Sequence, residues 1–479
     1  MFICIINTTK INLKKINKTL LVIIYLIVNT INSQSGAIDV SFDPGLGSNG
    51  VINTICLQSD SKIIIGGDFT NFNGTALNRI SRLDSSGNLD PSFTIGTGCN
   101  GWIQAIALHT NGKIVIVGGF TTYNGVSKKY IAQLNTDGTL DTSFSVGSGT
   151  NFPILAVAIQ SDGKIIIGGG FTNYNGTNVN RILRLNTDGT IDTTFVVGTG
   201  VENSISTINI QTNGKIIIGG EFTTYNGTPI NRLARLNTDG TLDTSFNVGT
   251  GVNNAIWCSK IQTDGKLIIG GLFTMYNGTS MNYIARLNSD GSIDTSFSIG
   301  IGANNGIRSL AYQFNDKVIF GGNYTLFNSS SSNRISRLHT NGNQDNTFNS
   351  GTAANNSVNA IAVQPDGNII IAGNFTSYNG TAKNRIARII GDTTLGLSDF
   401  LKNKVSIYPN PCSNLISFSI ENNSNVEKYE IFDVTGKIII QSIHSNTNQI
   451  DVSNLSKGIY FLSIFNENKN YIGKFIKTN

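Results

Sequence analysis

The chain is poor in the residues from which most active sites are built. Only three of its 479 residues are histidine, and His109, His339 and His444 share no motif. The five cysteines, Cys4, Cys56, Cys99, Cys258 and Cys412, stand far apart, and no Cys/His pair has metal-ligand spacing. No disulfide framework follows. Cys56 and Cys258 occupy small-residue positions and read as structural thiols, and a Cys56–Cys99 disulfide has no support in the spacing. There is no Gly-x-Ser-x-Gly elbow and no glycine-rich phosphate loop opening a helix. Outside the N-terminus no segment has a helical period. Charge is sparse, at 13% of residues. The formal net charge is +5, but four of the lysines lie in residues 1–33. Gln34 to Asn403 carries 23 basic and 23 acidic residues. A neutral surface attracts phosphate weakly, so nucleic acid is not an expected partner.

What the chain does have is a repeat. Phe69, Phe120, Phe171, Phe222, Phe273, Tyr324 and Phe375 are spaced 51 residues apart. Each unit reads as four short strands. In the third unit these are Ile154–Ile159, the β-branched run Lys164–Phe171, Arg181–Leu185 and Ile191–Phe195. The Asp-Gly pairs Asp162-Gly163 and Asp188-Gly189 supply two tight turns. Seven antiparallel meanders of this length predict an all-β, seven-bladed β-propeller with four-stranded blades. The motif that ends each unit recurs at Phe93, Phe144, Phe195, Phe246, Phe297 and Phe348, whereas the seventh unit has Leu395 there. The missing copy stands at the other end, Ile38-Asp39-Val40-Ser41-Phe42. Residues near 38–44 are therefore expected to complete the last blade and close the ring, which hides two open strand edges.

The repeats read Asp-Gly-Lys-Ile-Ile-Ile-Gly-Gly-x-Phe-Thr-x-Tyr-Asn-Gly, then Asn-Arg-Ile-x-Arg-Leu-Asn-x-Asp-Gly-x-x-Asp-x-x-Phe. In this they resemble the delta-60 repeat family of bacterial β-propellers. Unit six departs at Tyr324 and Ser329, and unit two at Lys129 and Gln133. The resemblance implies a propeller at residues 38–391 and an exported protein, and no established reaction.

The two ends read as addresses. Residues 1–33 carry Lys10, Lys14, Lys15 and Lys18, no acid, and an apolar run from Leu20 to Val28. That run is short for a bilayer span, and the segment is expected to be a secretory signal peptide. Residues 392–403 read as a linker. From Lys404 the repeat is gone, and short alternating strands suggest a small Ig-like β-sandwich. The motifs Tyr408-Pro409-Asn410-Pro411, Glu430 to Lys437, Leu455 to Leu462 and the Lys474-Phe475-Ile476-Lys477 ending are similar to the type A sorting domain of the Bacteroidetes type IX secretion system. That resemblance implies recognition of residues 404–479 by the secretion machinery, and delivery to the medium or the cell surface with no stable membrane span after processing.

Few residues suggest chemistry. The turn from Asn135 to Asp141 has oxygen spacings like those of a calcium loop but lacks its bidentate glutamate, and Asp-Gly serves a hairpin turn for backbone reasons alone. Neither a metal nor a cofactor is expected. Asn-Gly-Thr, as at Asn175, matches a glycosylation sequon and equally a turn with positive φ. Two sets of residues are candidates for ligand binding. The first is the loop ring Phe72, Tyr123, Tyr174, Tyr225, Tyr276, Phe327 and Tyr378, which would either stack on sugars or pack the loops. The second is the one first-strand position that varies between units: Asn53, Gln104, Leu155, Ser206, Trp257, Arg308 and Asn359. With the first strand innermost, these residues would lie near the channel mouth. Trp257 beside Arg308 suits sugar stacking and carboxylate binding. The expected role is non-enzymatic: an exported binding or scaffold protein, for a glycan or a surface protein. A propeller enzyme acting on extracellular polysaccharide would need converging acids, for which Glu202 and Glu221 are available. A structural surface-layer component is the third reading.

Overall fold

The computed structural model describes residues 34–313, 316–392, 405–419, 428–433, 438–443, 448–466 and 469–478. The chain forms two compact units, Met1–Asp392 and Thr393–Asn479. The expected signal peptide lies outside the described residues, as does all of the expected linker but Asp392. Among the described residues there are strands and no helix.

Each blade is an antiparallel three-stranded sheet in chain order. In blade 3 the strands are Ile154–Ile159, Ile165–Gly169 and Ile182–Leu185. A two-residue hairpin, Asn173–Tyr174 with Thr177–Asn178, flanks them. The middle strand is buried throughout, because both of its faces are covered by other blades. Ile165 and Ile167 pack with Val115, Val117 and Ile131 of blade 2. Ile166, between them, packs with Ile205, Ile216 and Ile218 of blade 4. A continuous β-branched run therefore replaces the usual alternation of apolar and polar residues. The close approach also explains Gly168. A Cβ there would stand 2.7 Å from a γ-carbon of Ile205.

Seven such cores lie between successive blades, and one of them joins Ile370, Ala372 and Ile386 of blade 7 to Ile52, Ile63 and Ile65 of blade 1. The blades thus close into a ring. The expected latch is in place. Ile38 bridges Ile389, Asp39 N–H donates to Arg388 O at 2.9 Å, and Phe42 is fully buried in the core shared by blades 7 and 1.

One expectation needs correction. The fourth segment of each unit is not a full strand. It meets the third strand at a single bridge, such as Leu185 with Ile191. The next residue, Asp192, turns its carboxylate onto Thr194, accepting from the backbone N–H at 3.0 Å and from the hydroxyl at 2.6 Å. This local turn bends the chain off the sheet after one pair.

In the second unit, a three-stranded sheet (Ser406–Tyr408, Leu415–Ser419, Gln449–Asp451) and a four-stranded sheet built on Lys428–Asp433 and Gly458–Asn466 share one apolar core. It includes Ile416, Phe418, Ile431, Ile450, Leu462 and Phe475.

Candidate functional site

The residues that repeat most faithfully are occupied with holding blades together. Arg184 shows the pattern. Its Nε donates to Asp192 at 2.6 Å, one terminal nitrogen to Thr238 O of blade 4 at 2.6 Å, and the other to the Thr194 hydroxyl at 3.0 Å. Its guanidinium lies 4.7 Å from the centre of the Phe195 ring. Lys164 completes the ion group on Asp192 at 2.8 Å. Burial alone would raise the Asp192 carboxyl, but hydrogen bonds from Lys164, Thr194 and Arg184 outweigh it and hold the group well below the ordinary carboxylate range. Arg388 does the same across the latch, with Asp39 at 2.6 Å and Phe42 as its ring.

The aromatic ring proposed from the loops does not form a binding surface. Tyr123, Tyr174, Tyr225, Tyr276 and Tyr378 are all buried. Their hydroxyls donate to the carbonyls of Gly138, Gly189, Gly240, Gly291 and Gly36, respectively. A phenol is long enough to run from the flanking hairpin to the glycine of the Asp-Gly turn, or for Tyr378 to Gly36 of the latch, where it satisfies a carbonyl that would otherwise be buried without a donor. The Asp-Gly turns are closed in the same local manner. Asp137 accepts from Thr139 N–H at 3.0 Å and from its hydroxyl at 2.6 Å. Among the described residues no three His, Cys, Asp or Glu side chains are grouped to hold a metal ion. Asn175 has a φ of +45° and its side-chain oxygen accepts from Ser148 N–H at 3.1 Å, so this Asn-Gly is a working turn. Cys56, Cys99, Cys258 and Cys412 are free thiols.

The variable first-strand position behaves differently. In every blade the pairing register slips around it: Ile52 opposes Gly67 and Thr54 opposes Gly66, leaving Asn53 over. The same slip brackets Gln104, Leu155, Ser206, Trp257, Arg308 and Asn359. These seven residues are β-bulge residues, free of the ladder and turned out of it. All seven line one cavity of about 280 Å³ at the channel mouth, together with Ser204 and Glu221. A channel lined by six of these bulge residues, all but Trp257, and by the residues that follow them adjoins it.

Within this ring, blades 5 and 6 depart furthest from symmetry. The Arg308 guanidinium stacks 4.6 Å from the Trp257 ring centre, so one face of the indole is covered by the cation. Arg308 Nε donates to the Asn323 side-chain oxygen at 3.0 Å. The indole also leans on Gly306, where a Cβ would lie 2.6 Å from a ring carbon and 2.9 Å from Leu272. Asn53 reaches Ile103 O at 3.0 Å and is partly committed to blade 2. Glu221 lines the cavity, whereas Glu202 does not. Burial alone would raise the Glu202 carboxyl, but donors from Thr224 and Thr223 outweigh it and lower the group to about 2. The sequence reading missed Asn323, which holds Arg308, and Arg334, which donates to the Asn323 backbone oxygen. The signal was present in the repeat, because Asn323 occupies the position of Asp68 and Arg334 that of Arg79.

Comparison with known proteins gives two family matches. The family described as a domain of unknown function (DUF5122) beta-propeller matches residues 58–93, 109–144, 160–195, 211–246, 262–297, 313–348 and 364–392. The secretion system C-terminal sorting domain matches residues 406–478. These agree with the delta-60 repeat and type IX sorting resemblances read from the sequence, and the tail is that of a protein sent outside the cell. A comparison with curated proteins finds no match. Among solved structures, the WD40 β-propeller domain of Doa1 is similar at 11% identity and a TM-score of 0.45, over 75% of this chain and 97% of that one. The extracellular domain of the putative hybrid two component system BT4673 from B. thetaiotaomicron is similar at 14% identity and a TM-score of 0.46, over 93% of this chain but only 60% of that one. PorZ, a surface component of the type-IX secretion system of Porphyromonas gingivalis, is similar at 12% identity and a TM-score of 0.33, over 89% of this chain and 66% of that one. None of these three likenesses carries an argument about function.

Proposed function

The chain belongs to the DUF5122 β-propeller family, and from that premise and the chemistry of the mouth we propose that it is an exported binding scaffold whose ligand is a saccharide at the bulge ring. One observation carries this reading. The faithfully repeated residues hold the blades together, and the seven residues that diverge converge on a single cavity. Repeats stay alike where packing dictates and diverge where a side chain faces something outside the repeat. The lining suits a polyhydroxylated ligand: amides from Asn53, Gln104 and Asn359, hydroxyls from Ser204 and Ser206, and the edge of the Trp257 indole. A non-enzymatic role is supported by the cavity's single carboxylate, Glu221, where hydrolysis of a glycosidic bond ordinarily takes a pair.

The test is a glycan-array screen of the purified protein beside Trp257→Ala. Binding by the wild type and loss of at least ten-fold in the variant is the expected result. Binding that survives in the variant would move the ligand away from the mouth. An array silent for both proteins would set aside a saccharide ligand of the kinds displayed.

A further inference from the structure

Arg308 and Arg334 are tied to the same residue. Arg308 donates from Nε to the side-chain oxygen of Asn323, and Arg334 donates from a terminal nitrogen to its backbone oxygen. Two guanidinium groups are thus brought to one neutral asparagine. Among the described residues no carboxylate stands within ion-pair distance of either one. Blade 1 shows how a carboxylate serves at this place: there the same two positions are Asp68 and Arg79, and they form an ion pair. Blade 6 has the neutral Asn323 at the first of these positions, and it carries a second cation, Arg308, at its bulge. Like charges held together without a counter-ion are unfavourable unless something else supplies the anion.

Arg308 is also pre-set for that anion. Its plane is fixed by the Trp257 ring on one face and by Asn323 at Nε. Its two terminal nitrogens donate to no protein group among the described residues, and the side chain is exposed at the cavity. A guanidinium fork held flat and open matches a carboxylate in a two-point hydrogen bond. The surroundings favour the same sign. Arg181 and Arg232, at the position of Arg334 in other blades, donate to the backbone oxygens of Glu202 and Val252, so neutral carbonyls anchor them.

We propose that the mouth takes an acidic saccharide, its carboxylate bound by Arg308 beside Arg334, with Glu221 left to accept from a sugar hydroxyl. This rests on the saccharide-binding reading above. The test is calorimetric titration of the protein with hexagalacturonate and with its neutral methyl ester, at low and high salt. Arg308→Gln and Asn323→Asp are titrated alongside. Asn323→Asp rebuilds the blade 1 arrangement, so it is expected to keep or raise the thermal midpoint while it fills the anion's place. The acid is expected to bind at least ten-fold more tightly than the ester and to weaken with salt. Each variant is expected to lose at least ten-fold. Equal binding of acid and ester would overturn the carboxylate while leaving the saccharide site standing, and wild-type affinity in folded Asn323→Asp would do the same. Binding of dextran sulfate with the uronate silent would replace the carboxylate by a sulfate ester. Failure of every saccharide to bind folded protein would overturn both readings.

Discussion

At the scale of residues, the repeat is written in arginine and aspartate. Arg235 serves a carboxylate, a hydroxyl, an aromatic face and a carbonyl of the next blade at once, which a lysine ammonium could not match in plane, and in blade 6 Arg337 meets Asp392 and Ser35 in place of that carbonyl. Blade 2 replaces the arginine by Gln133, whose amide still donates to Asp141 at 2.7 Å, while Lys113 reaches the same carboxylate at 2.8 Å. Blade 6 replaces the repeat phenylalanine by Tyr324, and Ser336 appears where its hydroxyl needs a partner, at 2.9 Å. Removing one partner of a buried ion group costs about 3–5 kcal/mol because the other is left uncompensated. Arg184→Met is expected near the lower end of that range, since Lys164 remains on Asp192. Arg184→Gln should recover part of the loss in the manner of Gln133. Thermal midpoints of the two variants decide this, and equal losses would show that the hydrogen bond to Asp192 is not what matters.

At the scale of elements, two devices position the site. The first is the bulge. It inserts one residue between Ile256, which opposes Gly271, and Cys258, which opposes Gly270, and so Trp257 leaves the ladder without disturbing the packing of its neighbours. The second is the latch. Residues 36–42 give blade 7 what the other blades obtain from their own fourth segment: a bridge at Ile38, a carboxylate from Asp39, a hydroxyl from Ser41 and a ring from Phe42. Deleting residues 34–44 would empty the place of Phe42 and expose the edge Ile386–Ile389. An open edge of paired-strand type invites association with other chains. Light scattering is expected to show oligomers or aggregates where the intact protein shows a single species. A truncated chain that stayed in the wild-type state with an unchanged midpoint would mean that the ring does not depend on the latch.

At the scale of the whole propeller, a net charge of zero conceals a separation. The mouth end carries Arg79, Arg181, Arg232, Arg308, Arg334 and Arg385, against the acids Asp68, Glu202 and Glu221. The opposite end carries the turn aspartates, among them Asp137, Asp188, Asp239 and Asp290. The clamp carboxylates lie toward that end as well. For Asp90, Asp141, Asp192, Asp243, Asp294 and Asp345, burial works upward, but hydrogen bonds and ion pairs from lysine, arginine, serine and threonine prevail and lower each one strongly. A carboxyl lowered in the folded state stabilises the fold above its unfolded value of about 4, and that contribution is lost as pH falls toward the folded value. Six copies act together. The thermal midpoint is therefore expected to hold between about pH 7 and 5 and to fall steeply below about pH 4. A midpoint that stayed level down to about pH 2.5 would contradict the assignment of the clamps as ionised groups.

The period of 51, the β-branched runs, the Asp-Gly turns and the displaced Phe42 motif were enough to read seven blades, their closure and the sorting tail. These signals are local and repeated, and repetition separates a structural requirement from chance. The varying position was legible too, since Trp257 and Arg308 stand out against a constant frame. Three matters depended on the folded ring. The tyrosines repeat as a binding ring might, yet a phenol that reaches a buried carbonyl is conserved between blades for the same reason as core residues are. The fourth strand has the composition of a strand, but Asp192 and its counterparts divert it after one bridge. The pairing of Arg308 with Arg334 through Asn323 joins residues 11 to 26 positions apart. Only the pairing of the strands within blade 6 brings a bulge, a strand end and the residue before the next strand to one point. Charge balance in such a place is a property of distance, which the order of residues along the chain does not contain.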